Sequence, residues 1–282
     1  KSLGNTVDPF EVMEDYGADA VRWYLFVNNP PWKPTLFDGE NIKRTILSDF
    51  FRSLTNTYAF FVLYANIDKF EGTEKVIPIE KRQEIDRWII SRANTLLKEY
   101  LELMESYELT KAHRAIQDFV IYELSNWYIR RNRRRFWKGE KDDDKLAAYQ
   151  TLREVLLIVL QAMAPAAPFL SENLYQRLRN DDQPESVHLH EFQKADEELI
   201  NPELEERMAL AQSIVFLARS LREKSKLRTR QPLKRILIPV HSPKQRRDIQ
   251  YFEGIIKEEL NIKNIEFVTD DSEIVKRSAK PN

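Results

Sequence analysis

The sequence predicts a mainly α-helical protein, an antiparallel helical bundle with a small C-terminal α+β appendage. Three observations carry that expectation. Glycine is scarce, six in 282 residues, while 32% of residues are charged, a balance that favours long helices over a turn-rich β fold. Apolar residues recur at helical spacing over several long stretches joined by short connections, which makes neighbouring helices antiparallel. Only near the C-terminal end does the pattern change, to short apolar runs such as Ile236-Leu237-Ile238.

The elements follow in order. Asp8 is a good N-cap and Pro9 suits a first helical position, so a short helix starts there, with a second over residues 18–26. Pro30, Pro31 and Pro34 enforce an extended linker. From Asp38, the spacing of Ile42, Ile46, Phe50, Leu54, Tyr58, Val62 and Ala65 predicts a long helix, with Gly72 and Pro78 ending it. Ile85, Trp88, Ile89, Ala93, Leu96, Leu97, Tyr100 and Met104 line one face of the next helix. Further helices are expected over 109–137 and 147–163, the latter rich in Leu, Ile and Val and deeply buried. Pro165 and Pro168 break it and start a shorter helix ending near Leu178. Asn180-Asp181-Asp182-Gln183-Pro184 reads as the clearest boundary. One more amphipathic helix, 203–226, precedes a strand at 233–240, a helix at 245–260 and a strand at 265–268, which together form the appendage.

Composition bounds the function. The length suggests about two domains. Lys and Arg number 44 against 45 Asp and Glu, net −1, so no global basicity announces nucleic acid and local patches decide. The absence of cysteine removes disulfides and thiolate metal sites and is consistent with a reducing compartment. No apolar run approaches the ~18 residues of a membrane span, and no signal peptide stands at Lys1. A cytoplasmic, monomeric protein without membrane contact is expected.

Two local patches stand out. The run from Trp127 to Lys138 holds Arg130, Arg131, Arg133, Arg134, Arg135 and Lys138 with no acid, interleaved with Trp127, Tyr128, Phe136 and Trp137. Cations neutralise phosphates and aromatic rings stack on unpaired bases, although charge runs are usually a solvated helix face. At 3.6-residue spacing the stripe Ala112, Ile116, Val120, Leu124 and Trp127 extends onto Arg131 and Arg134, with Tyr122, Ile129 and Phe136 on the opposite side. Trp127 is assigned to the core. The arginines then meet carboxylates inside the bundle, Glu123 being a candidate, or phosphates beyond it, and the sequence leaves both open. The second patch, Arg219, Arg222, Lys224, Lys226, Arg228, Arg230, Lys234 and Arg235, is either a cationic helix end or another phosphate contact. Lys43, Arg44 and Arg52 form a weaker third candidate. His188 and His190 alternate on an extended segment, but lack a third ligand, so no metal is expected.

Four ordered motifs carry a family resemblance. Lys1-Ser2-Leu3-Gly4-Asn5 resembles the end of the Lys-Met-Ser-Lys-Ser loop of class I aminoacyl-tRNA synthetases. Pro30-Pro31-Trp32-Lys33-Pro34, then Asp86-Arg87-Trp88-Ile89-Ile90-Ser91-Arg92, then Leu124-Ser125-Asn126-Trp127-Tyr128-Ile129-Arg130-Arg131-Asn132 resemble isoleucyl-tRNA synthetases. The Asn126–Asn132 run sets the chain apart from the valyl enzymes, the nearest rival; a helical scaffold for protein partners is the rival of another class. The resemblance implies a C-terminal fragment: residues 1–37 as the tail of the catalytic region, 38–195 as the helical anticodon-binding domain and 196–282 as a junction helix with the α+β appendage. It implies that Lys1 and Ser2 bind ATP in the parent enzyme and that Arg130, Arg131, Arg134, Arg135, Lys138, Arg228 and Arg230 bind isoleucine tRNA. ATP and Mg2+ serve the full-length ligase, and the fragment alone is expected to be inactive, because the partner motif His-x-Gly-His is absent from the chain.

Overall fold

The computed structural model describes residues 7–137 and 139–269, which fall into two compact units dividing between Ile200 and Asn201. In the first unit, α1 (Pro9–Tyr16) is capped by Asp8, whose Oδ1 accepts from the Phe10 N–H at 2.8 Å. Gly17, at φ 85°, turns the chain directly into α2 (Ala18–Asn28), which buries Ala20, Trp23, Tyr24 and Val27. The Tyr24 hydroxyl then anchors the proline linker, donating to the Leu36 carbonyl and accepting from the Asp38 N–H, both at 3.1 Å.

Asp38 caps the long helix α3 (residues 39–68), which is π-helical over Ile42–Phe51 and α-helical over Arg52–Asp68. The helix ends before Gly72. Lys69 adopts the left-handed conformation at φ 52°, and the Phe70 N–H returns to the Ala65 carbonyl at 2.8 Å, a Schellman closure without glycine. Gly72 instead serves the following loop, where its carbonyl accepts from Asn180 Nδ2 at 3.1 Å.

The central part of the unit is built by α4 (Glu84–Glu105), α5 (residues 109–137) and α6 (Asp143–Met163). Helix α4 packs on both α5 and α6, and α5 also touches α2 and α3. The apolar face read for α4 is buried from Ile85 to Tyr100. Helix α6 starts at Asp143, earlier than its apolar run suggests, because the Asp142 carboxylate accepts from the Lys145 N–H at 2.8 Å. By length and composition α6 would suffice to cross a membrane, against the sequence expectation, but 72% of its most apolar stretch is buried inside the protein. Helix α7 (Pro168–Tyr175) follows. The 180–184 segment is no boundary: Arg153 donates to Gln183 at 2.9 Å and the Tyr175 hydroxyl to the Pro184 carbonyl at 3.0 Å, so it is tied into the first unit.

The second unit comprises α8 (Pro202–Lys224), β1 (Leu233–Pro239), α9 (Pro243–Tyr251), α10 (Glu253–Leu260) and β2 (Ile262–Val268). The strands pair in parallel, with Ile236 opposite Ile265 and Ile238 opposite Phe267. The single helix expected over 245–260 is divided at Phe252, which leaves helical geometry and is buried among its neighbours. Asn261, left-handed at φ 49°, ends α10 and admits β2.

Candidate nucleic-acid interface

The interface candidate is set by the register of α5. Its middle third, Phe119–Ile129, is π-helical, so its bonds close from i to i+5 and a given face repeats more slowly than every 3.6 residues. The fully buried line is Ile116, Val120, Leu124, Tyr128 and Asn132, a spacing of four throughout. It continues onto Arg135 and Phe136, and not onto Arg131 and Arg134 as a 3.6-residue stripe requires. Trp127 is buried, as its assignment to the core anticipates, but Tyr122 is 63% exposed instead of joining a second buried stripe.

Arg135 is therefore the arginine that enters the bundle. Its guanidinium forms a fork with fully buried Asp86, Nη1 to Oδ1 at 2.8 Å and Nη2 to Oδ2 at 2.7 Å. It also donates to Asp144 Oδ1 at 2.8 Å and to Asn132 Oδ1 at 3.0 Å, while the Tyr128 hydroxyl donates to Asp86 at 2.7 Å. Burial alone would lower the arginine's pKa; the hydrogen bonds and charge of Asp86, with Asp144, more than reverse that and raise it. Burial, then the Asp86 charge, drive the Tyr128 pKa well above its ordinary value, so the phenol stays a donor. Arg135, expected among the RNA contacts, is thus an internal strut. Its five donors are directed to partners inside the protein, and a bidentate carboxylate is the partner its planar fork fits best.

Other cations are internal for the same reason. Arg82 donates to the Ile77 carbonyl at 3.0 Å, to Thr151 at 3.0 Å and to Glu154 at 3.2 Å. Burial pushes the Glu154 carboxyl up, with Arg82 opposing. Buried Lys145 pairs with Asp68, which also accepts from the Tyr149 hydroxyl at 2.5 Å. Glu123 meets Arg92 at 2.8 Å, so the carboxylate proposed for the arginine run is engaged by α4.

What remains outside is a cationic, aromatic helix end. Arg133 and Arg134 are exposed and have no carboxylate partner among the described residues. Arg130 and Arg131 are half-buried and lie over the Trp127 ring at 5.8 and 5.9 Å, within cation–π range. Trp137 is 57% exposed. Lys1, Ser2 and Lys138 lie outside the described residues. On α3, Lys43 pairs with Glu40 at 3.0 Å, Arg52 donates to the Ser48 carbonyl at 2.9 Å, and Arg44 is exposed.

In the second unit the cluster of cations also divides. Arg219 pairs with Glu259 at 2.5 Å and Arg235 with Glu266 at 2.9 Å. Arg222 is buried and donates to three carbonyls, those of Arg228 (3.0 Å), Gln231 (3.1 Å) and Leu260 (2.7 Å). Asn261 Nδ2 holds the Arg230 carbonyl at 2.9 Å. The loop is pinned by its backbone, and the Arg228 and Arg230 side chains are left exposed.

The histidines have ordinary roles. His188 Nε2 faces the Pro168 carbonyl at 3.3 Å and His190 Nδ1 the Glu191 carbonyl at 2.9 Å, and among the described residues no group of three His, Cys, Asp or Glu is placed to hold a metal. His113, isolated in the sequence, lies buried between Phe26, stacked at 4.5 Å, and the edges of Trp23 and Tyr100. Its Nδ1 is 2.7 Å from the Leu109 carbonyl and so carries the proton, and burial, opposed by that bond, lowers its pKa.

Comparison with known proteins agrees with this geometry. Residues 86–238, more than half of the chain, match the family model described as the anticodon-binding domain of tRNA ligase. The chain is 48% identical over its whole length to the isoleucine–tRNA ligase of Cytophaga hutchinsonii, 46% to that of Porphyromonas gingivalis and 42% to that of Thermus thermophilus. It spans 26%, 24% and 27% of those relatives, about a quarter of their length. The LeuRS of Agrobacterium radiobacter, solved as a ternary complex with tRNA and LeuAMS, superposes with a TM-score of 0.52 over 71% of this chain and 23% of its own, at 22% identity, a likeness of fold. The match over residues 86–238, which takes in the buried Arg135 strut and the exposed cationic end of α5, identifies the chain as a member of the anticodon-binding domain family of tRNA ligases.

Proposed function

We propose that this chain is the tRNA-gripping part of an isoleucine–tRNA ligase, holding isoleucine tRNA by its anticodon stem and loop while the reaction takes place in other parts of the full-length enzyme. The observation that carries the reading is the end of α5, where Arg133 and Arg134 face solvent without carboxylate partners among the described residues, close in sequence to exposed Trp137. Such an arrangement suits phosphates, because an arginine already paired to an acid gives up little counterion on binding RNA. Arg130 and Arg131 extend the same grip, Arg135 supports it from beneath, and Arg228 and Arg230 are phosphate contacts of the second unit taken by itself. The identity to isoleucine–tRNA ligases across the whole chain supports isoleucine over valine as the cognate amino acid. ATP and Mg2+ enter this reading as requirements of the full-length ligase, with Lys1 and Ser2 as its nucleotide contacts, and the chain works as a monomer in the cytoplasm.

The test is binding to isoleucine tRNA and to valine tRNA across a salt series. Tighter binding of the isoleucine tRNA is expected, with affinity falling by orders of magnitude between about 50 and 200 mM salt. Arg133→Glu with Arg134→Glu weakens binding to both tRNAs and flattens the salt slope by about two. Salt-independent binding, or indifference to these reversals, would remove the phosphate grip and favour a scaffold for protein partners.

A further inference from the structure

Where the π-helical parts of α3 and α5 meet, they leave a groove of about 430 Å³ lined by Ser48, Asp49, Arg52, Gln117, Asp118, Tyr122 and Asn126. π-Helical turns are rare and cluster at functional sites. Several of the groove's polar side chains make no internal hydrogen bond, although Asp118 is attracted electrostatically by Arg114. The side chains of Asp49, Asp118, Tyr122 and Asn126 make no hydrogen bond among the described residues, and Gln117 uses only its Oε1, accepting from Trp23 at 3.1 Å. Tyr122 stands at the rim, 63% exposed, in a helix whose other large apolar residues are mostly buried.

The charges are sorted by position. Asp49 and Asp118 line the groove together with Arg52, two carboxylates against one guanidinium, and Arg130 and Arg133 continue along the same face of α5 outside it. That face runs Tyr122, Asn126, Arg130, Arg133, Trp137, in steps of four, four, three and four residues. A phosphate is repelled from such a groove and attracted to its surroundings. A neutral, flat ligand that offers N–H donors suits the interior.

We propose that this groove is a base pocket: Tyr122 stacks on one unpaired nucleobase of the RNA, while Asp49, Asp118 and Asn126 read an exocyclic amine on its edge and Arg52 and Arg130 hold the flanking phosphates. The proposal rests on the RNA-gripping reading above and adds to it the place where sequence is read, since phosphate contacts position and base contacts specify. Carboxylates accept from amines such as cytosine N4 and find no such donor on uracil's O4 edge, so an amino-bearing base is preferred to uracil.

The test uses the whole chain with isoleucine tRNA across a salt series, and with oligocytidylate and oligouridylate as single-stranded probes. Tyr122→Ala is expected to weaken tRNA binding roughly five- to a hundred-fold, the range stacking losses span, with the salt slope unchanged because no phosphate contact is removed. Tyr122→Phe keeps the ring and the affinity. Oligocytidylate binds more tightly than oligouridylate, and Asp49→Asn with Asp118→Asn narrows that difference. Wild-type affinity in Tyr122→Ala, while Arg133→Glu with Arg134→Glu still weakens binding, would overturn the pocket and leave the phosphate grip standing. Equal affinity for the two oligonucleotides would overturn the edge reading. A folded chain that binds no RNA at low salt, or whose binding neither set of substitutions changes, overturns both readings.

Discussion

Asp86 is fully buried, and its carboxyl group is tolerated there because Arg135 meets both of its oxygens and Tyr128 adds a third hydrogen bond. Removing one partner strands the other. Arg135→Met is therefore expected to destabilise the first unit by about 3–5 kcal/mol in urea unfolding, and pairing it with Asp86→Leu should cost less than the sum of the two single changes. The sequence showed an unbroken arginine run but not which member turns inward, because that depends on a register set by tertiary packing. His113 carries a different prediction. Burial lowers its folded pKa below the ordinary value of 6.5, so the unfolded chain binds more protons in the window beneath 6.5. The His113 contribution to stability is complete above that pH and is lost as pH falls toward the folded pKa. Unfolding midpoints measured from pH 7.5 downward should show a decline in the parent that is shallower in His113→Gln.

The helices themselves were largely legible, because a 3.6-residue apolar pattern is strong over long amphipathic stretches: every residue read as the inner face of α4 from Ile85 to Tyr100 is buried. What local sequence does not encode is the change of helical register. Nothing in Phe119–Ile129 announces i to i+5 bonding, and the apolar stripe drifted onto the wrong arginines as a result. Helix ends were legible where a side chain makes the cap, as at Asp8 and Asp38, and illegible where the backbone closes itself, as at Lys69. Asp142 also caps with its side chain, but the start it sets went unread because the apolar run begins only several residues later. Asp142→Ala should cost about 1 kcal/mol, read as a lowered unfolding midpoint with an unchanged denaturant slope. In the core of α5, Leu124→Ala should cost about 2–5 kcal/mol, since the side chain is completely enclosed.

At the scale of the whole molecule, net charge gave no hint of an exposed cationic helix end. The formal charge is −1, and the cations become distinctive only once the internal pairs are subtracted. Arg82, Arg92, Arg135 and Lys145 are engaged inside the first unit, which leaves a short exposed set at the end of α5. That subtraction requires coordinates. The division between Ile200 and Asn201 has a thermodynamic corollary. The second unit is small and its sheet has two strands among the described residues, so it should unfold before the larger helical unit. Calorimetry is expected to show two transitions, with near-complete separation in Arg222→Ala; a single cooperative transition would mean that the units are coupled.

The Arg222 hub bears on how this protein can change. Its guanidinium and the Asn261 amide hold residues 228–231 through main-chain carbonyls, which every amino acid supplies. The path of the loop is thus independent of the side chains it displays. Mutational drift at Arg228, Thr229 and Arg230 is free to retune surface charge without repacking the unit, whereas drift at Arg222 is not. A saturation library scored for folding, and not for RNA binding, should record this as broad tolerance across the loop beside near-intolerance at a single position in the preceding helix.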